Sequence, residues 1–512
     1  MKLTAARFSQ LLFLGIFLVL FVLTEYRGKD EIPLAVNSFF RADALVVVSY
    51  LLAEKSFSPL LLPGLILIVS TVFLGRFFCG WLCPLGTIID LVTERIRKTA
   101  PLGVLKSYLK YYLLVCLLVV SLFNLNLAGL LDPIAILIRA MTFFLYPVLG
   151  ESVRGAWVGL YGLIGEQRDH LSFLYSFLKD YLLPFRETFY PLAFISLLLF
   201  SGILFLERYE KRNWCRNLCP LGTLLGLMAR FSFFRRLPGK LCPDCGDCRQ
   251  HCPTTFDTDI LQKQDCIICL DCGVKCRFDR VRFSLRNPFV SDQRFMPDRR
   301  VLLTGALSGF VVSRVFSFTD VHARERLLRP PGVRSEEEFL RKCVRCGECM
   351  KVCLRNALYP AVLQSGLYGI FSPVLIPRSG YCEYNCTLCG QVCPTGAIPH
   401  LPVQDKKKAL IGIAVVDRNH CLPFAKRTNC IVCEEHCPIP NKAIRFEVVQ
   451  EKNYEGRTVT LKKPYVVDNL CNGCGICEYV CPVDGKAAIE VFPRKTPSGS
   501  TQDLPAQEPY GM

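Results

Sequence analysis

Histidine is scarce in this chain: six residues in 512, scattered, and none placed as a pair of ligands would be. No CxxCH haem attachment, no Gly-rich phosphate loop, no flavin motif and no hydrolytic constellation occurs, which sets aside c-type haem proteins, P-loop enzymes and triad hydrolases. The formal charge of +17 is not gathered into a basic recognition element, so nucleic acid is not an expected partner. What the chain does have is cysteine, 29 residues, and apolar side chains, 51% of the total. The first offers disulfides, zinc or iron–sulfur clusters, and spacing decides among them.

Four uncharged stretches, Phe8–Thr24, Ser56–Gly75, Tyr111–Leu131 and Thr188–Leu206, hold 17, 20, 21 and 19 residues. A bilayer core takes about 20 helical residues, so four spans are expected. Apolar pieces at 44–53 and 140–150 are too short to cross and are read as interfacial or packed on the bundle. Arg76, Arg95, Arg97, Lys98, Lys106 and Lys110 follow the second span, and Arg208, Lys211, Arg212, Arg216, Arg230, Arg235 and Arg236 follow the fourth. By the positive-inside rule these sides are cytoplasmic. The 132–187 loop, with five basic residues in 56, is external. Asp132, Glu151 and His170 in that loop, and Glu207 at an inner span end, are candidate proton acceptors whose simpler reading is surface solvation.

Two segments repeat. "RFFCGWLCPLGTIIDL" (76–91) and "RNWCRNLCPLGTLLGL" (212–227) agree at nine of sixteen positions, each after a span. A further apolar run, "VLLTGALSGFVVS" (301–313), follows the arginine pair of "PDRR". It reads either as an internal twin-arginine export signal, with "VHA" (321–323) as a weak cleavage candidate, or as a helix packed under the next domain. Export would place everything after about residue 320 outside.

Six cysteine quartets follow the bundle. Cys242, Cys245, Cys248 and Cys252 are separated by two, two and three residues, as are Cys266, Cys269, Cys272 and Cys276, then Cys343, Cys346, Cys349 and Cys353, and Cys471, Cys474, Cys477 and Cys481. Two variants open the first gap: Cys382, Cys386, Cys389 and Cys393, and Cys421, Cys430, Cys433 and Cys437. This is the bacterial ferredoxin run, in which three thiolates hold one [4Fe-4S] cluster and the fourth ligates its neighbour. Zinc sites use separated CxxC pairs, and disulfide frameworks do not repeat one spacing six times. Crossed ligation joins Cys242, Cys245 and Cys248 with Cys276, and Cys266, Cys269 and Cys272 with Cys252. Proline follows Cys252, Cys393, Cys437 and Cys481, whereas Arg277 and Leu354 follow Cys276 and Cys353.

"LRPPGVRSEEEFLRKCVRCGECMKVC" (328–353), "CTLCGQVCPTGAI" (386–398), "NCIVCEEHCPIPNKAI" (429–444) and "CNGCGICEYVCP" (471–482) resemble NapG, the exported four-cluster ferredoxin of bacterial quinol dehydrogenases. The resemblance implies that the first and fourth motifs share a cluster pair and the second and third another. Cys481 would then complete the Cys343, Cys346, Cys349 set, Cys353 the Cys471, Cys474, Cys477 set, Cys437 the Cys382, Cys386, Cys389 set, and Cys393 the Cys421, Cys430, Cys433 set. Residues 1 to about 290 resemble NapH, the membrane partner with two CxxxCP motifs, a family related to NosR and RdxA/CcoG. The departure is fusion of both in one chain.

The expected organisation is a multi-domain membrane protein, an α-helical bundle of four spans with a fifth left open, plus α+β bacterial-type ferredoxin domains. Residues 1–236 form the bundle with both CxxxCP motifs, 237–290 a two-cluster segment, 291–325 the twin-arginine-like segment and linker, 326–493 a four-cluster domain and 494–512 a disordered tail. The expected location is a bacterial or archaeal cytoplasmic membrane, with the first ferredoxin segment cytoplasmic and the last domain periplasmic. The expected function is electron transfer between the quinone pool and a redox partner, such as a c-type cytochrome or terminal reductase, in a quinol dehydrogenase module. The alternative is a redox-linked assembly or regulatory factor of NosR/CcoG type, although the chain holds no flavin-binding domain of the NosR kind. Once the quartets and Cys116, read as packing inside the third span, are set aside, Cys79, Cys83, Cys215 and Cys219 remain. They make either one shared redox site, a seventh cluster, or two separate dithiol or structural turns.

Overall fold

The computed structural model describes residues 5–95, 108–164, 168–181, 183–185, 188–238, 245, 252–254, 263–276, 278, 280–285, 299–318, 326–452 and 456–494. Nine helices matter for the site: α1 Ala5–Leu23, α2 Ala44–Glu54, α3 Leu62–Leu74, α4 Pro84–Thr93, α5 Leu109–Leu122, α6 Pro133–Ala140, α7 Ala193–Leu206, α8 Pro220–Ala229 and α9 Arg299–Phe318. Helix α6 runs on through a π-helical turn, Met141–Leu145, into Tyr146–Ile164. Among the described residues two helices are long and apolar enough to cross a membrane by length and composition, Ala5–Leu23 and Pro133–Tyr161, the second mostly buried within the protein.

The helices in the other three uncharged stretches are shorter than the stretches themselves. Ser56–Gly75 becomes helical in α3 only from Leu62, with Pro63 in the first turn, where a missing N–H costs nothing. The Tyr111–Leu131 stretch breaks after Leu122, with Asn124 in the left-handed region at φ +63°, because Asn126 beyond it is committed to polar contacts. Its backbone N–H donates to Tyr368 Oη (3.1 Å) and its Nδ2 to the Arg341 carbonyl (3.2 Å). Hydrophobicity alone does not mark such a stop. Thr188–Leu206 likewise becomes helical from Ala193.

Contacts at the helix ends orient the bundle. At the start of α1, Ser9 Oγ donates to Trp81 O and Gln10 to Asp90; just past its end, Thr24 O accepts from Lys351 Nζ at 2.7 Å. At the start of α5, Lys110 pairs with Asp265 at 2.6 Å and Tyr111 Oη accepts from Gln264. So residues 264–269 sit at one end of the bundle and residues 341–351 at the other. Helix α9 lies lengthwise on α5, Ser308 beside Tyr112 and Arg314 over the Phe123 ring. Gly305 and Gly309 face it, and a methyl at Gly309 would come within 2.8 Å of the Cys116 carbonyl oxygen. This GxxxG spacing, the small-residue pattern of close helix packing, was legible in "GALSG" and favours the packed helix over a free signal at 301–313. Outward faces stay apolar: Ile66, Phe194 and Leu303 are 61, 68 and 71% exposed.

Strands β1 (Phe234–Pro238) and β2 (Val281–Leu285) pair antiparallel and bracket the first ferredoxin segment. In the second half, β3 (Leu358–Pro360) pairs with β4 (Pro373–Leu375), β5 (Ile413–Val416) with β8 (Ile489–Phe492), and β6 (Ile444–Lys452) with β7 (Thr458–Val466). The multi-domain arrangement with α+β ferredoxin domains is as expected.

Candidate iron–sulfur and CxxxCP sites

The third cysteine of each described ferredoxin motif lies in a one-turn helix: Cys272, Cys349, Cys389, Cys433 and Cys477. In three motifs the residues before and after the second cysteine are both left-handed, Ile268 and Leu270, Arg345 and Gly347, Gly473 and Gly475. A β-branched residue pays strain at positive φ, so Ile268 at φ +52° marks a loop held in shape by its surroundings. The last cysteine of a quartet accepts a backbone N–H: Arg280 to Cys276 Sγ at 3.4 Å, Ala357 to Cys353 at 3.2 Å, Ile398 to Cys393 at 3.4 Å and Ala488 to Cys481 at 3.3 Å. Such donors stabilise a thiolate and tune a cluster's potential.

Cavities collect these sulfurs in sets of four. One is lined by Cys343, Cys346, Cys349 and Cys393, and another by Cys471, Cys474, Cys477 and Cys437. A third takes Cys421, Cys430, Cys433 and Cys481, and a fourth takes Cys266, Cys269, Cys272 and Cys252. Cys389 lies in the field of Cys382, Cys386 and Cys353, which sets a fifth group. The first segment keeps the expected crossing at Cys252. The second half does not: Cys481, Cys353, Cys437 and Cys393 each join a different set from the one carried over by resemblance. The first motif shares with the second, and the third with the fourth. The physical reason is proximity along the chain, since neighbouring motifs close shorter loops. Cys242 and Cys248 lie outside the described residues, and Cys245 is exposed.

Do these sets fit iron clusters? Among the described residues no three His, Cys, Asp or Glu side chains converge on a single ion. In a four-iron cube each thiolate ends on a different iron, so its four sulfurs stand further apart than ligands of one ion. Burial pushes the Cys266 thiol up to about 11 and those of Cys421 and Cys433 up to about 12. Four such sulfurs become thiolates at neutral pH only against a cationic core. The donor set, three near cysteines and one remote, matches a [4Fe-4S] site.

Neighbour relations give a file. The Cys343 and Cys382 sets exchange Cys353 and Cys393; the Cys382 N–H donates to the Cys474 carbonyl at 2.9 Å; the Cys471 and Cys421 sets exchange Cys437 and Cys481. The Cys343 set rests on the bundle, with Arg139 Nη1 donating to Arg345 O, Tyr190 Oη to Met350 O, and Gly129 against the Val344 backbone.

The two CxxxCP turns meet at the opposite end, and all four cysteines are buried. Cys83 and Cys219 cap α4 and α8 in the same way, accepting from Gly86 N at 3.4 Å and Gly222 N at 3.3 Å, each followed by proline. Arg76 Nε donates to Cys79 Sγ (3.2 Å) and its Nη2 to Cys215 O (3.2 Å); Arg212 donates to Cys79 O (2.8 Å) and twice to the Asp90 carboxylate. Each arginine thus reaches into the other half. A methyl at Gly222 would sit 2.1 Å from the Arg76 guanidinium, which explains glycine there; at Gly86 the nearest atom, the Cys79 carbonyl oxygen, would be 3.3 Å away. Burial pushes the Cys215 thiol up to about 12. Ile267 and Ile268 of the first ferredoxin segment close over this site, Trp81 Nε1 donating to Ile268 O at 2.9 Å.

Several expectations shift. Arg76 and Arg212, counted above as loop charges, are 2 and 1% exposed. Asp132 and Glu207 are fully buried rather than solvated, whereas Glu151 is exposed. His170 lies on the Arg168–Tyr181 helix, and His251 lies outside the described residues. His436 is exposed, with its Nδ1 2.9 Å from Val432 O. Cys116 is partly buried against the second-half core. "VHA" also lies outside the described residues. Arg139 and Asp43, central to the packing, carried no sequence signal beyond residue type.

Residues 56–102 and 191–240 match a family described as 4Fe-4S binding domain, one copy around each CxxxCP turn, and residues 342–397 and 426–485 match a family described as 4Fe-4S dicluster domain. The dicluster matches pair the motifs as the cavities do. The chain is 35% identical over 221 residues to the methylamine utilization ferredoxin-type protein MauM of Methylorubrum extorquens, covering 41% of this chain and 96% of that one. It is 34% identical over 209 residues to the ferredoxin-type protein NapG of Escherichia coli, covering 40 and 87%. It is 37% identical over 199 residues to MauM of Paracoccus denitrificans, covering 38 and 84%. No solved structure matches the chain.

Proposed function

We propose, from the premise that the chain belongs to the NapG/MauM family of ferredoxin-type iron–sulfur electron-transfer proteins, that it is a membrane-bound wire between the quinone pool and an external redox partner. It joins a NapH-like membrane part and a NapG-like ferredoxin part in one polypeptide. Six [4Fe-4S] clusters sit in the six cysteine quartets, and Cys79, Cys83, Cys215 and Cys219 hold a seventh between the halves of the bundle.

The observation that carries this reading is the seating of ferredoxin segments at opposite ends of one helical bundle whose outward faces are apolar. Helix α1, at 19 residues, is about 28 Å long, close to the hydrocarbon thickness of a bilayer. Large exposed apolar surfaces on a folded protein mark a lipid or protein partner. In this reading the bundle crosses the membrane with four spans and α9 as a fifth, and residues 326–493 lie on the side away from the first ferredoxin segment. Electrons then leave by the Cys421 set, last in the file.

When bound, the clusters supply one-electron transfer. The chain's own residues hold their thiolates, shield them from water and donate N–H groups to Cys276, Cys353, Cys393 and Cys481. Arg76 stands beside four buried sulfurs, while Arg212 there is paired with Asp90, so the cysteines face a net positive charge that favours an anionic group.

The test is anaerobic addition of a reduced quinone to the purified full chain while cluster absorbance is followed. Quinol-dependent bleaching is expected. Intact clusters that no quinol reduces would sink the quinol reading and favour an assembly or regulatory role. Iron should come to about 28 atoms per chain and fall to about 24 in Cys79→Ala/Cys215→Ala; a wild-type value near 24, unmoved by that double substitution, removes the seventh site.

A further inference from the structure

Asp43 and Asp132 are 0% exposed and lie at equivalent places in the two halves of the bundle. Each caps a helix: Asp43 Oδ1 accepts from Leu45 N (2.7 Å) and Val46 N (3.1 Å) at the start of α2, and Asp132 Oδ2 accepts from Ala135 N (2.8 Å) at the start of α6. The other two oxygens, Asp43 Oδ2 and Asp132 Oδ1, are buried without a donor. The helix that Asp43 caps packs against residues 128–131, next to Asp132, and each carboxyl acts on the other. Two carboxylates in contact away from water cannot both be ionised, so one proton bridging them satisfies both orphaned oxygens. The pair then carries one negative charge and can accept a second proton.

The charged group acting on the pair is Arg139, on the helix that Asp132 caps. Its field also reaches Arg345 and Cys346, one of the four cysteines of the set nearest the bundle. Its own donors go to carbonyl oxygens, Leu130 O and Arg345 O. Arg345, in the cysteine loop, likewise donates to Asn126 O and Tyr368 O. Arg41, two residues before Asp43, acts on Glu348, and at the start of α3 Gly64 lies against the Asp43 backbone. Arg139 thus stands on the helix that Asp132 caps and donates to the loop that carries Cys346.

We propose that the Asp43–Asp132 pair is a proton site coupled to the cluster held by Cys343, Cys346, Cys349 and Cys393, taking up one proton when that cluster takes up one electron. The electron comes from a quinol, or from any reductant used to titrate the cluster. The cluster gains one negative charge, and the dyad goes from one shared proton to two, from a charge of −1 to neutral. No bond other than O–H forms. The inference rests on the cluster assignment made above and adds a partner to it.

Redox titration of the full chain in detergent, followed by electron paramagnetic resonance at a series of pH values, tests it beside iron analysis of the same samples. One cluster of the wild type should lower its potential with rising pH, by up to a tenfold change in equilibrium constant, 59 mV, per pH unit. Asp43→Asn and Asp132→Asn keep a capping side chain and give the partner carboxylate a permanent donor, so each should flatten that slope with iron content unchanged. Intact clusters whose potentials are all independent of pH in the wild type would overturn the coupling alone, as would a slope that persists in both variants. A wild type without iron would overturn the cluster assignment beneath it.

Discussion

Gly129→Ala should loosen the second-half ferredoxin from the bundle, and the size of the effect follows from the interface. A Cβ at position 129 would lie 1.8 Å from the Val344 carbonyl oxygen and 2.7 Å from its carbon, where ordinary contact begins at 3.4 Å. Both neighbours are backbone, so no rotamer relieves the clash; the two surfaces must part by about 1.6 Å. Five hydrogen bonds cross here: Arg345 to Asn126 O, Asn126 N to Tyr368 Oη, Asn126 Nδ2 to Arg341 O, Arg139 to Arg345 O and Tyr190 to Met350 O. At about 0.5–1.5 kcal/mol each, their loss costs between about 2.5 and 7.5 kcal/mol. The lower figure already raises the open population by about 70-fold. Hydrogen exchange of the amides at 343–351 should accelerate by at least that factor, and electron flow from the first segment to the second should slow. Gly155, with nothing within 4 Å, is the control: Gly155→Ala should be neutral. Unchanged exchange in Gly129→Ala would refute the docking derived from these contacts.

The double variant Cys349→Ala/Cys393→Ala separates the two ligation schemes. If both cysteines serve one cavity, about four iron atoms are lost, whereas the pairing carried over from resemblance places them in two clusters and loses about eight; Mössbauer or iron analysis reads the difference. Glu207 provides a pH test. Burial pushes its carboxyl up to about 7, so its contribution to stability is full below the unfolded carboxylate range and is lost as pH rises through about 7. Glu207→Gln, which can still accept from Thr93 Oγ1, should therefore gain more over the wild type at about pH 8 than at about pH 5 in a denaturant series; equal gains at both would rule out the buried, protonated carboxyl.

Much of the site was legible because ferredoxin loops are local. Spacing fixes where the third cysteine enters its one-turn helix, and glycine marks the left-handed step after the second cysteine at Gly347 and Gly475. The partner of each triplet was not legible, because it depends on which motifs pack together; Cys393 and Cys481 follow identical gaps and are both followed by proline. The repeat at 76–91 and 212–227 was visible as identity, and its arginines as charge. Nothing in a one-dimensional reading tells a loop arginine from one that crosses to the other copy's carbonyl. The ends of the apolar runs misled for a related reason. "SLFNLNLAGLLD" (121–132) is uncharged up to Asp132, yet Asn124 turns, Asn126 docks and Asp132 caps a second helix in the interior.

Those buried arginines bear on how the fold is held. Arg76, Arg139, Arg212 and Arg345 are the four largest fully buried side chains among the described residues. Removing a guanidinium from water is costly unless an opposite charge or a full set of acceptors replaces it. Arg212 has the Asp90 carboxylate at 2.6 Å. Arg345 spends its donors on the Asn126, Cys343 and Tyr368 carbonyls, and Arg139 on two carbonyls with Asp132 in its field. Arg76 reaches a sulfur and a carbonyl. A four-iron cube with four thiolates carries roughly two negative charges, which would compensate Arg76, whose donors go to a sulfur and a carbonyl rather than to a carboxylate. Cluster occupancy and folding are then linked in one direction: a bound anion stabilises the state that buries the arginines, and that state presents the four sulfurs together.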